Sequence, residues 1–166
     1  HLIDKTTPKD KKYFAEGFEV FHISIVDFIE VVAKGIAFTY VYHDDVRKGV
    51  NFAFADCLCV DVDGGFSLSE AKEHPFVKSH ASFIYTTPSH TSDHHKFRIV
   101  FLLDESLENP DHLRYATRAL AKMLGGDIAV SDPGRLFYGN SDALVVQFDQ
   151  TIDEKTLGAL VDNGKA

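Results

Sequence analysis

Two periods of apolar spacing run through the chain. Between Ser24 and Gly35, Ile25, Phe28, Ile29 and Val32 recur at helical spacing behind the capping signature Ser-Ile-Val-Asp27, which predicts a helix ending at Gly35. Ile36 to Tyr42 is rich in β-branched and aromatic residues and reads as a strand, followed by a charged turn at His43-Asp-Asp45. Phe52-Ala-Phe-Ala comes next, either continuous with or a bend before the apolar run Cys57-Leu-Cys-Val-Asp-Val-Asp-Gly-Gly65. In that run side chains alternate, so Cys57, Cys59, Asp61 and Asp63 share one face while Leu58, Val60 and Val62 pack on the other.

Beyond Gly65, Ser67-Leu-Ser-Glu70 is a second capping box opening a short helix that Pro75 should end. Ser82 to Thr87 reads as a strand stopped by Pro88. Lys96 to Leu103 reads as another, with Phe97, Ile99, Phe101 and Leu103 on one face and Arg98 on the other. The polar stretch between them, Thr87 to His95, is long enough for a ligand-contacting loop. Asn109-Pro-Asp111 starts the clearest helix, with Leu113, Thr117, Leu120 and Leu124 on one stripe before Gly125-Gly126. The aromatic stretch Leu136 to Tyr138, a strand over Leu144 to Phe148 and a closing helix over Asp153 to Val161 complete the pattern. Helices mixed with hairpins predict an α/β (α+β) fold, a sheet with helices against it.

Composition narrows this picture. At 166 residues with 45% apolar and 25% charged, the chain has one domain's length and an ordinary core: residues 1–20 read as a lead-in and 21–166 as a single core. It begins with His rather than Met and so reads as part of something longer. The most apolar region, Phe21 to Tyr42, is interrupted by Asp27, Glu30 and Lys34; neither a membrane span nor a signal peptide is expected, and a cytoplasmic location is. Cys57 and Cys59 are poorly placed to bridge or to complete a zinc site and read as small buried residues in a reducing compartment. The net charge of −8 argues against nonspecific coating of nucleic acid, but not against an enzyme with a local basic groove.

Candidate chemistry gathers at the end of the Cys57 run. At strand rise, the α-carbons of Asp61 and Asp63 lie roughly 7 Å apart, and both carboxylates can converge on divalent ions about 4 Å apart. Alternating Asp on a solvated strand face is the bland reading; the repulsion of two adjacent like charges favours a cation between them. Ser89 and His90 can donate to a phosphate, a task that also suits Lys96 and Arg98, and an unpaired Arg98 inside an apolar strand would be costly. His94 and His95 read as exposed loop histidines. Asp127 and Asp132 read as turn aspartates or, for Asp127, as a third carboxylate if its strand runs beside Asp61. Arg135 reads as a phosphate clamp or the surface end of a turn. There is no phosphate-binding Gly-rich loop ending in Lys-Ser or Lys-Thr, no His-Glu-x-x-His helix and no Gly-x-Ser-x-Gly elbow.

Cys-Val-Asp61-Val-Asp63-Gly, Tyr85-Thr-Thr-Pro-Ser-His90-Thr, Lys96-Phe-Arg-Ile-Val-Phe-Leu-Leu103, and Gly126-Asp127 through Asp132-Pro-Gly-Arg135 occur in the order of the archaeo-eukaryotic primase superfamily. The chain resembles its primase-polymerase domains from phages, plasmids and mobile elements over roughly residues 36–149. The resemblance implies an N-terminal α/β unit and a unit like an RNA-recognition motif, with a mixed sheet flanked by helices and the active site between the units. It implies a template-dependent nucleotidyltransferase, a DNA primase or polymerase, with two Mg²⁺ or Mn²⁺ ions on Asp61, Asp63 and Asp127, Asp132 being the fallback. Nucleoside triphosphate would be oriented by Ser89, His90, Lys96, Arg98 and Arg135, and Arg47 would touch template or nucleotide. Single-stranded DNA and nucleoside triphosphates are the implied partners, with a helicase or helical template-recognition domain elsewhere, and a monomer is expected. A metal-dependent nuclease and a non-catalytic replication-initiation module are the competing readings.

Overall fold

The computed structural model describes residues 20 and 22–166; the expected lead-in over 1–20 falls almost entirely outside the described residues. The chain forms α1 (Ile25–Ala33), β1 (Phe38–Thr39), β2 (Val41–Tyr42), β3 (Phe52–Asp63), α2 (Leu68–Glu73), α3 (Pro75–His80), β4 (Phe83–Thr86), β5 (Lys96–Leu107), α4 (Pro110–Leu124), β6 (Leu136–Phe137), β7 (Val145–Gln147), β8 (Thr151–Ile152) and α5 (Glu154–Lys165), with short 3₁₀ turns at His43–Asp45, Gly49–Asn51 and Ile128–Ser131. It is a mixed α/β fold.

The main sheet runs β2-β3-β5-β4-β7, every pair antiparallel; β8 alone is parallel, joining β5 at Leu102 and Leu103 on the edge opposite β3. The twelve-residue strands β3 and β5 form its spine. One face presents Leu58, Val60, Ile99 and Phe101 to α4, whose Leu113, Leu120 and Leu124 are buried, and to Phe76 of α3, 5.8 Å from Phe101 ring to ring. Fully burying one such side chain contributes about 1.5–3 kcal/mol. The other face meets α1 and the small β1–β6 ribbon: Phe28 lies edge-on to both Phe38 and Phe83, and Phe38 stacks on Phe137. With both faces covered, Cys57 and Cys59 are buried free thiols, as their setting in the run implies.

Several expected elements differ in extent. The strand expected over Ile36–Tyr42 is split at Tyr40, because Phe38 and Thr39 pair with β6 while Val41 and Tyr42 pair with β3. Phe52-Ala-Phe-Ala is continuous with β3. The strand from Lys96 runs on through polar Asp104, Glu105 and Ser106 to Leu107, since the chain there pairs with Ala55 beyond an irregularity at Asp56. Pro75 ends α2 but also starts α3, whose first turn is capped by the His74 ring. The strand over Leu144–Phe148 is shorter, β8 was not anticipated, and the closing helix begins one residue later, capped by Asp153, and runs to Lys165. No helix among the described residues is long and apolar enough to cross a membrane.

Candidate active site

The spine sets the site by register. Asp61 lies directly across from Arg98 and Asp63 across from Lys96 in the antiparallel β3–β5 pair. Neighbouring Gly64 and Gly65 leave the strand with φ of 76° and 75°, a conformation open to glycine.

Asp61 is the best-anchored carboxylate here. Arg98 grips it as a fork, Nε on Oδ1 and NH2 on Oδ2 at 3.1 Å, and Arg135 NH2 donates to the same Oδ2 at 3.3 Å. The third nitrogen of Arg98 donates to the Tyr85 hydroxyl and, at 3.0 Å, to the Tyr138 carbonyl, which also accepts from Tyr85 Oη at 2.8 Å. The guanidinium lies 5.4 Å from the Tyr85 ring centroid and 5.0 Å from that of Phe137. Its side chain is only 7% exposed. Burial opposes the charge of Arg98, yet Tyr85 and the Asp61 carboxylate outweigh it and hold its pKa above the ordinary value. Burial likewise pushes the Tyr85 hydroxyl up, with Arg98 pulling the other way.

Asp63 faces solvent, 61% exposed, and is met at 2.6 Å by His94 Nε2 and at 3.7 Å by Lys96 Nζ. The His94 hydrogen bond, aided by Lys96, holds its carboxyl below the usual range. His94 is thus engaged rather than simply solvated, and its ring closes on Gly64 so tightly that a Cβ there would sit 2.8 Å from it. His95 is half-buried, its Nδ1 accepting from Leu68 N at 2.9 Å.

Asp127 reaches the site on a 3₁₀ turn rather than a strand. Its backbone N–H donates to the Asp61 carbonyl at 2.9 Å, and its carboxylate caps the turn by accepting from Ala129 N. Gly126 permits this approach: a Cβ there would fall 2.4 Å from Val60 Cγ1 and 3.1 Å from the Asp61 carbonyl oxygen. Asp132 closes the following turn, accepting from Gly134 N at 2.8 Å. That turn is tied to the N-terminal strands, with Tyr42 Oη on Pro133 O, Thr39 Oγ1 on Arg135 O and Arg47 NH1 on Gly134 O. Burial pushes the Tyr42 hydroxyl up to about 12, against the pull of its bond to Thr39.

The aspartates and arginines just described line one cavity of about 600 Å³, within the usual range of ligand clefts. Its wall carries Arg47, Lys96, Arg98 and Arg135, matched by Asp61, Asp63, Asp127 and Asp132, with Thr87, Pro88 and Ser89 at one side. His90 stands behind Ser89, half-buried and outside that lining; its Nδ1 accepts from Lys96 N at 3.0 Å and its ring lies 5.0 Å from that of His95. Among the described residues no group of three or more His, Cys, Asp or Glu is arranged to hold a metal ion. The donors nonetheless suit a hard divalent cation, which takes oxygen ligands and needs only one or two protein carboxylates: Asp61 and Asp63 provide two from one strand end, one braced and one open to solvent.

Tyr85 and Tyr138 went unassigned in the sequence, and His94, read there as an exposed loop histidine, is exposed but bonded to Asp63. Tyr85 was reachable in principle, because an antiparallel β4–β5 pairing puts it beside Arg98. The Tyr138 contact is made by a backbone carbonyl, which leaves no trace in side-chain chemistry. No protein-family model and no curated protein matches the chain. Among solved structures it is similar to the AEP domain (PP-N190) of the cyanophage S-2L primase-polymerase, with a TM-score of 0.55 and 10% identity over 70% of this chain. The chain spans about 65% of that domain's length, and the likeness is one of fold.

Proposed function

We propose that the chain is a primase-polymerase-type catalytic core, a template-dependent nucleotidyltransferase acting on single-stranded DNA. The observation that carries this reading is the Asp61–Asp63 pair at the mouth of a cavity walled by four cations, in a fold similar to a phage primase-polymerase domain. The sheet order β3-β5-β4, with helices between β3 and β4 and after β5, supports the reading of this part as a unit like an RNA-recognition motif.

In this reading Asp61, Asp63 and, beside them, Asp127 would hold Mg²⁺ or Mn²⁺, which would supply positive charge against the charge that builds up as a 3′ hydroxyl attacks the α-phosphate and pyrophosphate leaves. Arg98 holds the Asp61 carboxylate in one orientation; with its nitrogens engaged, its role moves from phosphate contact to positioning. Lys96, Ser89 and Arg135 face the cavity and orient the triphosphate, and His90 fixes the loop carrying Ser89 through its bond to the Lys96 backbone. Arg47 stands on the same wall, where template or nucleotide passes.

The test is incorporation of labelled nucleotides on single-stranded DNA, primed and unprimed, in Mg²⁺ and in Mn²⁺. Asp63→Asn is the informative variant because Asp63 is exposed and its loss leaves the core intact. Metal-dependent products from the wild type and at least a hundredfold loss in the variant are expected; products from primed templates alone mean that initiation needs a further domain. One observation favours a second reading, a non-catalytic module that binds a replication origin: both oxygens of Asp61 are already paired with arginines. That reading predicts DNA binding unchanged by Asp63→Asn and no incorporation from any template.

A further inference from the structure

Two arginines hold one carboxylate, and they hold it differently. Arg98 is enclosed, and each of its nitrogens has a partner. Arg135 is 38% exposed, makes a longer contact of 3.3 Å to Asp61 Oδ2, and leaves its own Nε buried without a hydrogen-bond partner. A buried donor without a partner is costly, so this side chain gains from an additional acceptor. Its backbone, by contrast, is pinned: the Arg135 carbonyl accepts from Thr39 Oγ1 at 2.7 Å and its N–H donates to Asp132 O at 3.1 Å. The side chain can therefore change partners while the turn stays in place.

We propose that Arg135 is an exchangeable counter-ion of Asp61. Without nucleotide it adds a second positive charge to the carboxylate already paired with Arg98 and disfavours a divalent cation there; a nucleoside triphosphate offers it phosphate oxygens, which draw it from Oδ2 and free one acceptor position on that oxygen, beside Arg98 NH2, for the cation. Arg98 stays and keeps the carboxylate oriented. Cation and nucleotide then bind cooperatively, each strengthening the other by the same factor, and a cation alone binds weakly. The proposal rests on the nucleotidyltransferase reading of this site and adds to it an order of assembly.

The experiment counts free Mn²⁺ by electron paramagnetic resonance during titration of the wild type, Arg135→Gln, Arg135→Lys and Asp61→Asn. Each is titrated alone and with a non-hydrolysable nucleoside triphosphate analogue, with manganese held by the analogue itself subtracted. In the wild type the analogue should tighten Mn²⁺ binding about 5- to 150-fold, the usual span of such couplings. Arg135→Gln should bind Mn²⁺ tighter than the wild type when no analogue is present and lose most of the coupling; Arg135→Lys, which keeps the charge, should stay near the wild type in the analogue-free titration. If Arg135→Gln weakens analogue binding but leaves analogue-free Mn²⁺ affinity unchanged, Arg135 is a phosphate contact only and the proposal fails while the nucleotidyltransferase reading stands. If the wild type takes up no Mn²⁺ that Asp61→Asn abolishes, with or without the analogue, that reading fails and the proposal with it.

Discussion

Asp61 and Asp63 share one face of β3 two positions apart, yet they meet opposite surroundings. Asp61 is 17% exposed and bound to the Arg98 guanidinium, which pairs with no other carboxylate among the described residues; Asp63 stands in solvent beside His94 and Lys96. Their substitutions should separate stability from activity. Asp61→Ala strands Arg98 inside the protein, and breaking a buried ion pair from one side costs about 3–5 kcal/mol, visible as a marked fall in the urea midpoint. Asp63→Asn should leave that midpoint unchanged while abolishing incorporation, so denaturation and incorporation run on the same two proteins check both halves. At this scale the sequence was informative wherever a side chain is out of keeping with its neighbours: Asp61 and Asp63 in a valine-rich strand, Arg98 between phenylalanine and isoleucine. It was uninformative about who answers whom. The grip of Arg98 on Asp61 depends on strand pairing, and Tyr138 contributes only its carbonyl.

The helices were legible because their signals are local. Ser24, Ser67 and Asn109 cap α1, α2 and α4 with their own side chains, and Gly125 ends α4 with φ of 66°. Asp153 does the same for α5, accepting from Thr156 N at 2.7 Å. Its bonds to Thr156 hold its pKa below the ordinary carboxylate value, and the sign of the consequence is fixed. The ionised cap stabilises α5 above about pH 3.9, the unfolded value, and this support fades as pH falls through the lower folded value. The gap in melting temperature between the wild type and Asp153→Ala should therefore be constant from neutral pH down to about 3.9 and narrow as the pH falls further, through the lower folded value. Strands were harder to bound, since their limits are set by partners elsewhere in the chain. The Asp104-Glu-Ser106 segment has poor strand character and extends β5 only because β3 lies alongside; Ile36–Tyr42 has good strand character and is divided between two partners.

For the molecule as a whole, the formal charge of −8 and the mixed cavity wall describe a surface that does not attract nucleic acid from afar. Single strands lose affinity with salt at a slope of about −0.7 per phosphate neutralised. Four cavity cations faced by four carboxylates leave little for the backbone of a template, so the slope for single-stranded DNA should be no steeper than about −2, checked by fluorescence anisotropy across a salt series. The register of the spine has a consequence of another kind. Asp61 finds Arg98 only when it lies across from it. A slip of one residue turns every side chain of β3 to the opposite face and drives Asp61 toward the apolar layer under α4. A slip of two one way sets Arg98 against Cys59; the other way gives it Asp63 but leaves Asp61 across from Val100. Each misalignment strands a charge in the interior, so the ion pair acts as a checkpoint on assembly, and a chain that has built its sheet correctly has, by the same act, built its site.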